Sequence, residues 1–173
     1  HLEVQGAFNV RDLGGYETRE GKRTQWRRFL RADCLEKVNA QDFAARVDGG
    51  LRTVLDLRSA REIEEKPSAF RGSESRPRYR HVDLIGDPVL IDDPAKWSQP
   101  LQPPERYLTL YSSWLDHRQE AIRESLVTLA APDALPALFN CHAGKDRTGV
   151  IAALLLGLAG VPDDTIVADY ILS

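Results

Sequence analysis

The sequence contains only two cysteines in 173 residues, Cys34 and Cys141. So few exclude a disulfide-built scaffold, although one bridge between them stays open. Neither sits in a Cys-x-x-Cys pair, which removes the usual zinc framework. Long apolar runs are missing too. The longest, residues 150–159 with their glycine, falls well short of the ~20 residues that span a bilayer. There is no basic excess: 23 Lys and Arg against 26 Asp and Glu give a net charge of −3, which argues against a dedicated nucleic-acid binder. A local basic pocket is still compatible with that balance. The opening His1-Leu2-Glu3 carries neither a starting Met nor the apolar core of a secretion signal. The beginning is therefore read as processed or tag-derived, with a cytoplasmic and a secreted location both open. Internal repeats and low-complexity tracts are absent.

What is present is ordinary globular material, 42% hydrophobic and 28% charged, in a length suited to one core. A single domain over residues 1–173 is expected. Residues 8–16 read as an extended segment closing in the Gly14-Gly15 turn. A helix is predicted over 39–47, ended by Asp48-Gly49-Gly50, and a strand over 51–57, rich in aliphatic residues. Ser59 can cap a short acidic helix to Lys66, with Pro67 next, and 79–84 is a second strand. Strand, helix, strand predicts a βαβ unit and an α/β fold with a central sheet flanked by helices.

Residues 85–104, rich in Pro, Asp and Gln, read as a long loop of the kind that serves as a lid or binding segment. Two helices follow, the second supported by Leu115, Ile122, Leu126 and Leu129 near one face. Residues 137–140 form a short apolar strand, and 148–159 an apolar helix buried on most sides. Asp163 or Asp164 opens a last helix that the sequence cuts at Ser173, which predicts a C-terminally truncated domain or an omitted tail.

Chemistry concentrates in Asn140-Cys141-His142-Ala143-Gly144-Lys145-Asp146-Arg147-Thr148-Gly149, between a predicted strand and a predicted helix. A loop there can turn the backbone N–H groups of His142, Ala143, Gly144 and Lys145 inward, and the helix start adds partial positive charge. The result is an anion cradle. A cysteine at its base has its thiolate stabilised by the same dipoles and becomes a nucleophile. Arg147, six positions on, can reach over the loop with a planar fork suited to two phosphate oxygens. Thr148 can donate to the sulfur, and Lys145 can widen the positive field. A nucleotide-binding P-loop fails on inspection, because Asp146 follows Lys145 and Phe139 holds the upstream glycine position.

This segment resembles the signature loop of the protein tyrosine phosphatase superfamily, Cys-x5-Arg-Ser/Thr. Its fuller form, Cys-x-Ala-Gly-Lys-Asp-Arg-Thr-Gly, is similar to that of bacterial and fungal tyrosine/phosphoinositide phosphatases. Asn9-Val10-Arg11-Asp12-Leu13-Gly14-Gly15, Arg31-Ala32-Asp33 and Asp56-Leu57-Arg58-Ser59 with Glu62 extend the likeness from about residue 7 to Tyr170. The resemblance implies a cysteine-phosphatase-like fold and hydrolysis of phosphate monoesters through a phosphocysteine, with no metal and no cofactor. It also implies a phosphorylated protein or a phosphoinositide as substrate, and Asp146 as leading candidate for the general acid. Asp56, Asp83 and Asp87 are alternatives. One departure stands out: the family usually has His before the cysteine, and this chain has Asn140. An impaired phosphate-recognition module is therefore the competing expectation. Oligomeric state is not legible.

Overall fold

The computed structural model describes residues 2–47, 50–72, 77–86 and 105–173. Among them are strands β1 (Arg11–Asp12), β2 (Phe29–Ala32), β3 (Thr53–Asp56), β4 (Arg78–His81) and β5 (Ala137–Asn140). The helices are α1 (Ala40–Arg46), α2 (Ala60–Glu65), α3 (Glu105–His117), α4 (Gln119–Ala130), α5 (Asp146–Leu158) and α6 (Asp163–Ile171).

The strands form one sheet in the order β1-β2-β5-β3-β4. β1 is antiparallel to β2, and every other pairing is parallel. β5, last in sequence, thus enters between β2 and β3, pairing Asn140 with Ala32 on one side and Asp56 on the other. Its C-terminal end opens at the middle of the sheet edge, where α/β sheets bind ligands.

Both sheet faces are covered, so β3 and β5 are buried at every position and read as apolar runs rather than alternating ones. Val54, Leu138, Leu30 and Ala32 pack with Phe43 of α1 and with Phe70. Leu55, Ala137 and Phe139 pack with Ile122 and Leu129 of α4 and Ile151, Ala152 and Leu156 of α5. The α/β sheet expected from the sequence is the one observed.

Several boundaries moved for identifiable reasons. The opening segment makes only two residues of strand, because the Asp12 side chain bends it, accepting from the N–H of Gly14 at 2.8 Å and of Arg27 at 2.7 Å. The strand expected at 79–84 spans Arg78–His81, although the N–H of Val82 still bonds the Asp56 carbonyl at 3.0 Å. Beyond it Asp83 turns the chain, accepting from the N–H of Ile85 and Gly86. Leu115 belongs to α3 rather than to α4 and is 45% exposed, the break falling at Arg118. α5 starts two residues earlier than expected, and its far end is uncovered, with Leu158 exposed. The predicted loop 85–104 lies outside the described residues from position 87 onward.

Candidate active site

The segment after β5 is shaped from behind. The carbonyl of His142 accepts from the N–H of Cys34 at 3.0 Å, and that of Ala143 from Asn9 Nδ2 at 3.0 Å. The carbonyl of Gly144 accepts from Arg31 Nη2 at 2.8 Å, and that of Lys145 from the N–H of Gly149 at 2.7 Å. With four successive carbonyls tied on the outside, the peptide planes turn their N–H groups to the other side. Among the described residues, the N–H groups of residues 142–147 have no protein acceptor.

Gly144 makes this path possible. Its φ of +67° lies in the left-handed region, and a Cβ there would stand 2.7 Å from the Ala32 carbonyl. The helix that follows reinforces the effect. α1 and α2 are capped by the side chains of Asn39 and Ser59, whereas Lys145 offers α5 no side-chain cap. Its first N–H groups are left for an anion, which the helix dipole favours.

Cys141 lies at the base, buried and free of any disulfide. Arg147 is within the first turn of α5 rather than in the loop, and Glu62 of α2 grips it at both terminal nitrogens, Nη1–Oε2 2.6 Å and Nη2–Oε1 2.8 Å. Two of the five guanidinium N–H donors are spent on Glu62, and three remain for a ligand. Bonding to Arg147 pulls the Glu62 carboxyl down to about 2, against the opposing pull of burial and with help from Ser59. Burial presses on the Arg147 guanidinium in the other direction, but Glu62 and the nearby Cys141 more than offset it and hold it above its ordinary value.

A second support runs from α6. Asp169, 2% exposed, binds Arg11 Nε at 3.0 Å, Arg31 Nη1 at 2.5 Å and the Tyr16 hydroxyl at 2.8 Å. Arg31 is the same residue that holds the Gly144 carbonyl, so a buried carboxylate in the last helix anchors the loop through one guanidinium. Burial pushes the Asp169 carboxyl up, yet Arg11 and Arg31 hold it below the usual range. Asp33 completes the arrangement by accepting from the N–H of Phe8 and Asn9, which sets Asn9 against Ala143.

The other expected residues fall as follows. Asp146 is the first residue of α5, half-buried, and accepts at Oδ1 from the Tyr111 hydroxyl, with the Tyr170 hydroxyl 3.3 Å from the same oxygen. Lys145 lies with Nζ 5.6 Å from the Tyr170 ring centre, and the exposed His142 ring has Nδ1 3.9 Å from Glu62 Oε1. Thr148 is buried with its hydroxyl unpartnered, so no bond to the sulfur is formed. Asn140 is fully buried: its Nδ2 makes a long 3.4 Å contact to the Cys141 carbonyl and its Oδ1 has no partner.

Of the alternative acids, Asp56 has no exposure and is saturated by Arg58 and by the Tyr79 hydroxyl. Asp83 is occupied by its own turn, and Asp87 lies outside the described residues. Cys34 accepts from Arg58 Nη1 at 3.1 Å, and burial pushes its thiol up, as suits an unreactive sulfur. Among the described residues no three His, Cys, Asp or Glu side chains gather as a metal site, and no helix is long and apolar enough to cross a membrane.

Sequence reasoning gave no role to Glu62, Arg31, Asp169, Tyr111 or Tyr170. The Ser59-x-x-Glu62 capping signature was readable, and it forms. Its coupling to Arg147, 85 residues away, leaves no local trace.

A family model described as the tyrosine phosphatase family matches residues 2–173. The chain is 34% identical over 145 residues to a tyrosine-protein phosphatase of Nostoc commune, covering 84% of this chain and 48% of that protein. It is 32% identical, over an alignment of 200 positions, to the triple specificity protein phosphatase PtpB of Mycobacterium tuberculosis, covering 99% of this chain and 68% of that one. The chain thus spans about half the length of the first relative and about two thirds of the second.

Proposed function

The chain belongs to the tyrosine phosphatase family, and we propose that it hydrolyses phosphate monoesters through a phosphocysteine at Cys141. The observation that carries this reading is the run of N–H groups over residues 142–147, without protein acceptors among the described residues, next to a buried cysteine and an arginine held by Glu62.

The dianion enters the cradle and its non-bridging oxygens take the N–H groups and the three spare donors of Arg147. The Cys141 thiolate forms the S–P bond as the P–O bond to the leaving group breaks, and Asp146 protonates that oxygen. Water then attacks phosphorus, giving its proton to Asp146 and expelling the thiolate. Asp146 is preferred for this role because Asp56 is sealed and saturated. Phosphotyrosine, phosphoserine or phosphothreonine and phosphoinositides are all proposed substrate classes; the relative named as having triple specificity supports a broad range.

The test is hydrolysis of p-nitrophenyl phosphate in excess chelator by the parent chain and by Cys141→Ser. Turnover that disappears in the variant is expected. A second reading, phosphate recognition without turnover, is favoured by one observation, the orphaned Oδ1 of Asn140 beside the nucleophile. It predicts vanadate binding with no hydrolysis, and recovery of hydrolysis in Asn140→His.

A further inference from the structure

Two tyrosine hydroxyls from separate helices converge on one oxygen of Asp146. Tyr111 of α3 donates to Oδ1 in a very short bond, and Tyr170 of α6 stands 3.3 Å from the same oxygen. The two hydroxyls are 2.6 Å apart. Each phenol has one proton to give. Tyr111 spends its proton on Asp146, so the short tyrosine–tyrosine contact is filled by the Tyr170 proton. At 3.3 Å the direct Tyr170 contact to Asp146 is long for O–H···O, and the 2.6 Å contact wins. The chain of donors therefore runs from Tyr170 to Tyr111 to Oδ1, each bond polarising the next. Among the described residues Oδ2 has no partner.

The rings are themselves fixed. Tyr111 packs on Trp114 at 5.5 Å and meets Tyr170 edge-on at 6.3 Å. Gly149 lets Tyr170 approach, since a Cβ there would lie 3.0 Å from its ring. Burial, then the bond to Asp146, holds the Tyr111 phenol well above its ordinary value, and burial raises Tyr170 as well. Both stay protonated, and so remain donors, whichever state Asp146 is in.

We propose that Tyr111 and Tyr170 are positioning residues for the proton transfers of Asp146, Tyr111 occupying Oδ1 and Tyr170 supporting Tyr111, so that Oδ2 alone exchanges the proton with substrate and water. This rests on the phosphocysteine reading. In the first step the proton leaves Oδ2 for the departing oxygen; in the second, Oδ2 takes one from the attacking water. Oδ1 accepts from Tyr111 throughout, which keeps the transferable proton off it and fixes the plane of the carboxyl.

The experiment is kcat/KM for a series of aryl phosphates, from p-nitrophenyl to phenyl, in the parent, Asp146→Asn, Tyr111→Phe and Tyr170→Phe. A good leaving group hardly needs the acid and a poor one does. Asp146→Asn is expected to lose about 10²–10⁴-fold on phenyl phosphate and far less on p-nitrophenyl phosphate. Tyr111→Phe should lose about 10-fold on phenyl phosphate and under about 2-fold on p-nitrophenyl phosphate, and Tyr170→Phe about 3-fold on the former, as expected for losing one bond of a short network. A purely structural role would lower all substrates alike. Equal losses across the series, or none, overturn the inference while leaving the cysteine mechanism standing. A parent that turns over none of them overturns both. Thermal melting accompanies each variant; should Tyr111→Phe not fold, an unchanged leaving-group slope in Tyr170→Phe is sufficient to overturn the proposal.

Discussion

Glu62→Gln separates the two jobs of one carboxylate. Oε2 accepts from Arg147 Nη1 at 2.6 Å, from the Ser59 N–H at 2.8 Å and from the Ser59 hydroxyl at 3.0 Å, while Oε1 takes Arg147 Nη2 at 2.8 Å. A Gln oxygen in place of Oε2 keeps the first three contacts, and Gln is accepted at this position of a capping box. The amide nitrogen in place of Oε1 then faces Nη2 donor to donor. One charge-assisted bond is lost, worth about 1.5–3 kcal/mol when intact. Glu62 is 27% exposed at its side chain, so water recovers part of that and the lower figure applies. About 1.5 kcal/mol of positioning corresponds to roughly a tenfold fall in kcat/KM. The assay is aryl phosphate hydrolysis with inorganic phosphate as competitive inhibitor; its inhibition constant should rise with the fall in kcat/KM, because Arg147 meets the dianion in both states. Glu62→Ala removes both contacts to Arg147 and the carboxylate half of the capping box, so it should lose more binding than Glu62→Gln and a further ~1 kcal/mol of stability, while the Ser59 hydroxyl still accepts the residue-62 N–H. If Glu62→Gln leaves both kcat/KM and phosphate inhibition within about twofold of the parent, Glu62 does not orient Arg147 and the reasoning fails.

Asp169→Asn leaves the buried guanidiniums of Arg11 and Arg31 without their counter-ion and should cost about 3–5 kcal/mol in chemical denaturation. A loss under about 1 kcal/mol contradicts the anchoring role. Gly144→Ala combines a left-handed φ with a Cβ against the Ala32 carbonyl, so about 2–4 kcal/mol and the loss of phosphate protection against heating are expected. The folded chain holds Glu62 at about 2 against an ordinary 4.5, and Asp169 likewise below its usual value, so both carboxyls bind protons less readily folded than unfolded. Their contribution is complete above about pH 5 and is lost as pH falls towards the folded value of Glu62, an acid-side decline that equilibrium unfolding across pH should trace.

The fold was legible where local chemistry decides it. Ser59 announces α2, and its side chain accepts from the Glu62 N–H as expected, while Asn39, read as the first residue of the helix over 39–47, is instead the cap of α1. The apolar runs of β3 and β5 are strands because helices cover both faces of the sheet. What the pattern could not give was strand order. The βαβ reading covers β3, α2 and β4, but nothing local says that β5 returns between β2 and β3. That insertion puts Cys141 at the middle of the sheet's edge, one residue past the Asn140 that pairs with Ala32 and Asp56.

The site divides along the same line. Residues that touch a phosphate must lie close together in sequence, since one loop and one helical turn supply them, and so the stretch from Cys141 to Thr148 was readable as a unit. Residues that hold the loop are bound by no such rule. Arg31, Glu62, Asp169, Tyr111 and Tyr170 come from one strand and three helices, and each acts on the loop or on Arg147 across a long sequence separation, Asp169 through Arg31. A loop of outward-tied carbonyls has no stable conformation by itself, because among the described residues its N–H groups have no protein acceptor to hold them. The holding residues must therefore bring strong, charged or buried bonds, and that is what they bring: two guanidinium–carboxylate pairs and a short phenol–carboxylate bond. The charged residues buried around the loop are the structural cost of tying its carbonyls outward.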